Sequence, residues 1–551
     1  GIGGYHLACD ASNDSAVATL RRRKRRGDKP FAVMVPDLAT AHDIADVDES
    51  AAQLLSGIQR PIVLLTRRTP APVSDLVAPH NPDIGVMLAY TPLHTLLFGL
   101  PGDEPGPRVL VMTSGNLGGE PICFTDTDAV DRLARLADGW LLHDRAILVP
   151  CDDSVVRMLS LGGAENRAGV AEIPIRRSRG YAPLPVALPV PVPPTLAVGA
   201  DLKNTLAVAE GKYAWLSQHI GDMDDLATLS AFDSAQRHLQ SLTGVVPENL
   251  VVDAHPGYRS AAWAHRNADG RPVRTVQHHH AHIAAVMAEH GLDGSSRVLG
   301  FAFDGTGYGP DGAIWGGEVL VADYKGYRRV AQLRYVPLAG GDISVLRPYR
   351  MALAHLWAAG LPWDDDLAPL RACSEDERRV LAHQLRTGLG CVPTSSMGRL
   401  FDAVAALIGV RQTVDYEAQA AIELEGVSRG IDCGAATYAF DITAADPVLV
   451  DPAPVLRAVI DDQRADVPPG VIGARFHQAV ADLIVRLAEA ESKATGSRLV
   501  ALSGGVFQNV LLLQLAIPGL WAKGFDVITH CQVPPNDGGI ALGQLLVGNS
   551  M

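Results

Sequence analysis

A chain of 551 residues with 47% hydrophobic and 20% charged residues is too long for one core and too apolar for disorder, so two to four globular domains are expected. The excess of 61 acidic over 47 basic residues argues against a large nucleic-acid footprint, and no apolar run is long enough to cross a bilayer. Seven scattered cysteines (Cys9, Cys123, Cys151, Cys373, Cys391, Cys433 and Cys531) with no CxxC pair exclude a zinc ribbon and point to a reducing cytoplasm. Neither nucleic acid nor membrane is expected as a partner.

The opening GIGGYHLACDA reads as a turn leading into a helix, so the sequence is expected to start inside a domain. The stretch DASNDSAVATLRRRKRR continues as helix and runs into a tract, 20–31, that holds seven cations in the nine positions 21–29. Its readings are a polyphosphate site, a solvated face or a nucleic-acid tract. Crowded like charges at the mouth of a folded domain are costly without an anion, and that favours polyphosphate. Strand-like FAVMV (31–35), PIVLL (61–65) and RVLVM (108–112) alternate with helical sequence such as DTDAVDRLARLADGW, an α/β pattern. MTSGN (112–116) follows the last of these runs and offers Ser114 and Asn116 for a phosphate or planar acyl group. Alone it is a turn signal. Arg145, Arg177 and Arg179, near Gly-rich turns, read as further anion-binding cations.

PLPVALPVPVPP (183–194) favours extended polyproline structure and reads as a semi-rigid linker between 1–182 and 195–551, the alternative being an edge strand that tolerates prolines. Beyond it, 196–218 reads as strand, tight loop, strand, turn, strand, and the design recurs at 298–324. Two such meanders, each followed by helical sequence, predict a duplicated α/β lobe with nucleotide in the cleft between the copies.

The most informative stretch is His-His-His-Ala-His at 278–282. On a helix the four-residue spacing sets His278 and His282 on one face, with His279 and His280 turned elsewhere. Asp304 in FDGTGYGPDGAIWGG and Asp537 in PPNDGG, both beside glycines, complete a candidate set of two imidazoles and two carboxylates. Such a set suits Zn²⁺ or Fe²⁺ better than Mg²⁺. SGGVFQN (503–509) puts a small-residue loop at a helix start, suited to close approach of an adenosine. A lone histidine cluster can equally be a surface or packing feature, and the two acidic loops decide for a metal-assisted nucleotide site.

These motifs resemble the HypF family of carbamoyltransferases, which serve [NiFe]-hydrogenase maturation. GGYHLACDA, RKRRGDKPFAVM, YTPLH, TSGNLGGEP, HDRAI, DDSVVR and RRSRGYAP resemble its YrdC/Sua5-like module. GADLKNT, LSQHIGD, DAHPGY, QHHHAHIA, GRLFDAVAALIG, YEAQAAIELE, SGGVFQN and PPNDGGIALGQ resemble its TsaD-like module of the actin/Hsp70/sugar-kinase superfamily. The resemblance implies two α/β modules, with residues 1–182 forming carbamoyl adenylate from ATP (with Mg²⁺) and carbamate. Residues 195–551 would pass the carbamoyl group to the C-terminal cysteine of a HypE-like acceptor. It further implies that Lys24, Arg26 and Lys29 hold the triphosphate, with Arg145 and Arg177 as additional nucleotide cations, and that Ser114 and Asn116 orient the carbamate. In the second module it implies His278, His282, Asp304 and Asp537 as metal ligands and Asp402 at the ribose, with Gly504, Gly505 and Asn509 beside the adenine. Lys24, Arg26 and Asp304 are the expected catalytic groups. The family's acylphosphatase-like and zinc-finger regions have no counterpart here, nor do the first strand and helix of its YrdC-like module, so carbamate rather than carbamoyl phosphate is the expected starting material. The rival readings are an O-carbamoyltransferase of natural-product biosynthesis, a tRNA threonylcarbamoyl enzyme and a non-catalytic maturation scaffold.

Overall fold

The structure, a computed structural model, describes residues 1–104, 106–161, 169–434 and 436–550. Its first sheet is built from β1 (His6–Asp10), β2 (Ala32–Val35), β3 (Ile62–Thr66), β4 (Asp83–Leu88), β5 (Leu110–Ser114), β6 (Val155–Leu161) and β7 (Gly169–Arg176), in the order β1-β5-β2-β4-β3-β6-β7. The three apolar runs expected as strands are β2, β3 and β5. Val33, Met34 and Val35 are all buried, because both faces of this central strand are covered. The opening segment departs from expectation. His6–Asp10 pairs antiparallel with β5 instead of running into helix, and the helix begins only at Asp14, where the Asn13 side chain caps the amide of Ala16.

The proline-rich segment is not a linker. It is β8 (Pro185–Ala197), antiparallel to β9 (Ala207–Leu216) and, through Thr195–Ala197, parallel to β10 (Asn249–Asp253), which pairs with β11 (Val273–Val276). Its prolines are tolerated because the β8–β9 register breaks twice, between Ala187 and Val192 and again before Thr195, so Pro189, Pro191, Pro193 and Pro194 fall where no ladder partner is needed. The same arrangement revises the last turn in the strand, tight loop, strand, turn, strand reading of 196–218. β9 runs unbroken through Glu210–Gly211–Lys212, and β8 supplies its partner.

The third sheet contains β12 (Val298–Tyr308), β13 (Ile314–Ala322), β14 (Tyr327–Leu333), β15 (Val336–Ala339), β16 (Cys391–Thr394), β17 (Asp441–Thr443), β18 (Val448–Asp451), β19 (Leu499–Ser503) and β20 (Asp526–Ile528). β12, β13 and β14 form an antiparallel meander, while β19 and β20 add in parallel beyond β12. This repeats the hairpin-plus-parallel-strands plan of β8 to β11, so the two lobes are a duplicated α/β unit. Between them lies the wholly buried helix His278–Glu289. It packs on helix Ile540–Gly548 so closely that a Cβ at Gly543 would stand 1.9 Å from the carbonyl oxygen of Ala281. No helix among the described residues is long and apolar enough to cross a membrane.

Candidate active sites

In the first domain the cationic tract forms the last turn of helix Asp14–Lys24 and the loop after it. Cations at a helix C-terminus oppose the negative end of the macrodipole, so part of the crowding needs no ligand. Lys24 is 1% exposed, and its ammonium donates to Ser114 O at 2.7 Å, Asn116 O at 2.5 Å and Asn116 Oδ1 at 2.7 Å. The tract and the TSGN turn, ninety residues apart, are thereby one site. Burial pushes the Lys24 amine down to about 7, with nearby Arg26 adding to the effect. Burial and Arg26 push Lys29 down to about 8, and burial and Arg21 push Arg26 down to about 9. Arg26 lies over the Phe31 ring and donates to Pro30 O at 2.8 Å.

The other predicted cations are not gathered here. Arg145 is exposed and forms no ion pair among the described residues. Arg177 is buried and turned to the carbonyls of Tyr181 (3.0 Å) and Leu184 (2.7 Å), so it braces a turn. Arg179 pairs with Asp153 at 2.6 Å instead of standing free. The arginine whose charge bears on Arg26, Lys29 and Asp152 is Arg176, one position earlier and on the other face of the strand end.

The second site lies between the lobes. Gln277 caps helix His278–Glu289 through the amide of His280, which sends His278 and His282 toward β12. Asp304 is in β12 at a bulge rather than in an open loop, and Asp537 starts a short 3-10 turn ahead of helix Ile540–Gly548. The Nε2 atoms of both histidines face Asp304 Oδ2 (3.4 Å each) and Asp537 Oδ1 (3.6 and 3.7 Å). One donor atom from each of the four residues falls within 4.8 Å of every other. Ligand atoms about 2.1 Å from a tetrahedral ion are about 3.4 Å apart, close to the spacing of these imidazole–carboxylate pairs.

Two further observations fit a cation of the zinc or iron(II) class. The Nε2 of His282 is buried without a hydrogen-bond partner. The outer contacts already aim the ligands: His278 Nδ1 bonds Asp253 Oδ2 at 2.8 Å, and Asp304 Oδ1 accepts the amides of Gly305 (2.8 Å) and Gly505 (3.0 Å), leaving Oδ2 for the imidazoles. Burial alone would discharge His278, but Asp253 and Asp537 hold its pKa well above the ordinary histidine value. Burial, reinforced by the charge on His278, holds His279 well below it. His280 instead meets the carbonyl of Asp323 at 2.6 Å. Asp253 and Ser503, the latter with a 2.7 Å bond to His530, open the DAHPGY and SGGVFQN stretches, but only the packing shows that these positions reach the histidines.

The expected nucleotide residues divide. Gly504 adopts φ 101°, and a Cβ there would meet Phe303 O at 2.2 Å, so the loop hugs β12 and only glycine fits. The amide of Gly505 is committed to Asp304. Asn509 caps helix Val510–Ala522 through Leu512 N and bonds His477 at 2.9 Å, so its amide is not free to read a base. Asp402 is 3% exposed and paired with Arg399 at 2.9 Å, while burial raises its pKa. The loop after the tract meets the second domain: the amide of Asp28 donates to Asp415 Oδ2 at 3.0 Å, and Asp28 Oδ2 accepts from Arg411 at 3.1 Å. Lys203, paired with Glu417, lies beside the Asp537 turn, its carbonyl oxygen 3.6 Å from where a Cβ on Gly538 would stand.

Comparison with known proteins agrees with this architecture. Residues 1–169 match the Sua5/YciO/YrdC family, described as Telomere recombination; residues 191–289 match the HypF Kae1-like domain; and residues 300–544 match the Carbamoyltransferase, Kae1-like Domain, second subdomain. Carbamoyltransferase HypF2 of Cupriavidus necator is 42% identical across 99% of this chain and 70% of its own length, and Carbamoyltransferase HypF of Synechocystis is 41% identical over the same shares. The crystal structure of full-length HypF in its phosphate- and nucleotide-bound form superposes with a TM-score of 0.92 at 40% identity, covering 100% of this chain and 83% of that one. That of T. kodakarensis HypF gives 0.89 at 33% identity, covering 100% of this chain and 71% of that one. A chain carrying both modules in this order, matched along nearly its whole length, belongs to the HypF family of carbamoyltransferases.

Proposed function

We propose that residues 1–182 join carbamate to AMP, drawn from ATP with Mg²⁺, and that residues 195–551 move the carbamoyl group to the terminal cysteine thiol of a HypE-like acceptor. The observation that carries this reading is the docking of the tract's loop, through Asp28 to Asp415 and Arg411, on the domain that holds the His/Asp group. An acyl adenylate hydrolyses readily in water, so a route between docked domains suits this chemistry. A nucleotide-bound relative with the same fold agrees with it.

Carbamate is a poor electrophile, because its oxygen anion and nitrogen both donate into the carbonyl carbon. Attack of a carbamate oxygen on the α-phosphorus of ATP forms the mixed anhydride and releases pyrophosphate. Lys24, Arg26 and Lys29 would hold the departing phosphates in a water-poor pocket, where fixed cations act strongly. Ser114 and Asn116 are already oriented, with Ser114 Oγ donating to Asn116 Oδ1 at 2.7 Å. Lys24 holds that turn with all three of its donors and would act on the same substrate through its charge.

In the second domain, thiol attack on the carbamoyl carbon breaks its bond to the adenylate oxygen, giving a thiocarbamate, AMP and a proton. His278, His282, Asp304 and Asp537 would hold a zinc or iron(II) ion, whose contribution is Lewis-acid polarisation of the substrate oxygens. Asp253 fixes the tautomer of His278, and Gly505 fixes the carboxylate of Asp304. The test supplies the chain with ATP, carbamate and a HypE-like protein, then weighs the acceptor intact. A gain of one carbamoyl group is expected. An unmodified acceptor, or modification of a small-molecule hydroxyl instead, would overturn the reading.

A further inference from the structure

A buried cluster of charge joins the two domains. Arg157 of β6 is 9% exposed and grips Glu425 of helix Gln419–Ser428 with both terminal nitrogens, at 2.9 and 2.6 Å. Asp83 of β4 joins the cluster, 3.2 Å from Arg157 and bound in a fork by Arg429 at 2.6 and 2.7 Å. Two acids and two arginines, one of each from either domain, leave no net charge in a buried seam.

One bond of Arg157 reaches beyond this seam. Its Nη1 also donates to the carbonyl oxygen of Gln508 at 3.0 Å, within the SGGVFQN loop. The Gln508 side chain donates to Gly505 O at 3.0 Å, and Gly505 N is bound to Asp304 at 3.0 Å. From the next strand, Ile175 O of β7 accepts from Asn536 Nδ2 at 3.1 Å, and the same amide bonds Gln508 Oε1 at 3.0 Å. Asn536 immediately precedes Asp537. The β6–β7 edge of the first domain therefore touches both the 504–509 loop that bonds Asp304 and the turn that carries Asp537.

The geometry points to Arg157 as a positioning residue for the transfer site: an arginine of the adenylation domain that sets the 504–509 loop of the other domain against Asp304. It touches neither substrate nor the His/Asp group and acts through Gln508 and Glu425. A guanidinium is needed because three acceptor groups, the carboxylates of Glu425 and Asp83 and the carbonyl of Gln508, must be met at fixed angles, which a lysine cannot do. The transfer site is thus completed only when the adenylation domain is docked.

This inference rests on the function proposed above, and the experiment separates the two. Arg157→Lys keeps the charge but loses the fork. Arg157→Met combined with Glu425→Gln leaves no unpaired charge in the seam, guarding against simple unfolding. Each variant of the full chain is assayed for ATP–pyrophosphate exchange, for transfer from chemically prepared carbamoyl adenylate, for metal content and for melting temperature. Expected is a rise of about tenfold or more in KM for the adenylate, with exchange and metal content near wild type and Arg157→Lys melting close to it. A wild-type KM in both variants would overturn the inference, and so would a parallel fall in both half-reactions, which marks a merely structural seam. Failure of the wild-type protein itself to transfer from the adenylate would sink the proposed function instead.

Discussion

Replacing Asp253 by asparagine tests how the His/Asp group is aimed. Asp253 and His278 side chains are fully buried, 2.8 Å apart, and the second carboxylate oxygen accepts the amide of His255, also at 2.8 Å. Asparagine has one oxygen where two acceptors are needed. If that oxygen faces His278, its NH₂ group is pressed against the amide of His255, and a buried bond of about 1–3 kcal/mol is lost. If it faces His255, the NH₂ group faces Nδ1, the imidazole takes its proton on Nε2, and the nitrogen aimed at the metal position can no longer ligate. Loss of such an outer carboxylate costs roughly 10–100-fold in metal affinity, about 1.4–2.7 kcal/mol. Competition for Zn²⁺ against a chromophoric chelator at pH 7.5 measures it directly. An affinity within twofold of wild type, on folded protein, would refute the claim that Asp253 sets the tautomer of His278.

Further outcomes are expected. Lys24→Ala should lower carbamate-dependent pyrophosphate exchange by about 10²-fold or more while transfer from prepared carbamoyl adenylate persists; equal loss in both half-reactions would mark the tract as structural. His278→Ala or Asp537→Ala should do the reverse, removing bound metal and transfer and sparing exchange, as metal analysis and the two half-reaction assays will show. Lys24 and Lys29 sit near 7 and 8 when folded, below the free-lysine value of about 10.4, so the unfolded chain binds more protons between these values. Their destabilising effect is full below pH 7 and fades as pH rises toward 10, so the melting temperature of Lys24→Met relative to wild type should be higher at pH 7 than at pH 10; a pH-independent difference would contradict the depressed values. Gly543→Ala should destabilise by about 1–3 kcal/mol despite alanine's better helix propensity, because its Cβ would meet Ala281 O; an unchanged urea midpoint would refute that contact.

What the chain states locally, it states well. The His278/His282 pair needs only helical periodicity to share a face, β2, β3 and β5 need only apolar runs between turns, and the Gly504–Gly505 loop announces a close approach of backbone. Where pairing partners decide, local reading fails. His6–Asp10 became a strand because β5 offered an open edge, and the proline-rich segment became β8 because two register breaks in its ladder excuse the missing amides. The partner of His6–Asp10 lies about a hundred residues away, and β9, though next in the chain, reveals the register breaks only once it is paired. The choice between Arg176 and Arg177 is of the same kind: successive residues of an extended chain point to opposite sides, and only the packed sheet shows which side holds the tract.

Sequence by itself determined the duplicated lobe and the donor types of the His/Asp group, because these rest on periodicity and residue chemistry, and its motifs gave the two-module order through their resemblance to the HypF family. Tertiary structure alone decided that Lys24 reaches the TSGN turn, that Asp253 and Gly505 aim the ligands, and that Arg157 of one domain holds a loop of the other. Contacts across tens to hundreds of residues leave no periodic trace. Hydrogen bonds and buried ion pairs depend on distances of a few tenths of an ångström, which exist only once the cores have packed.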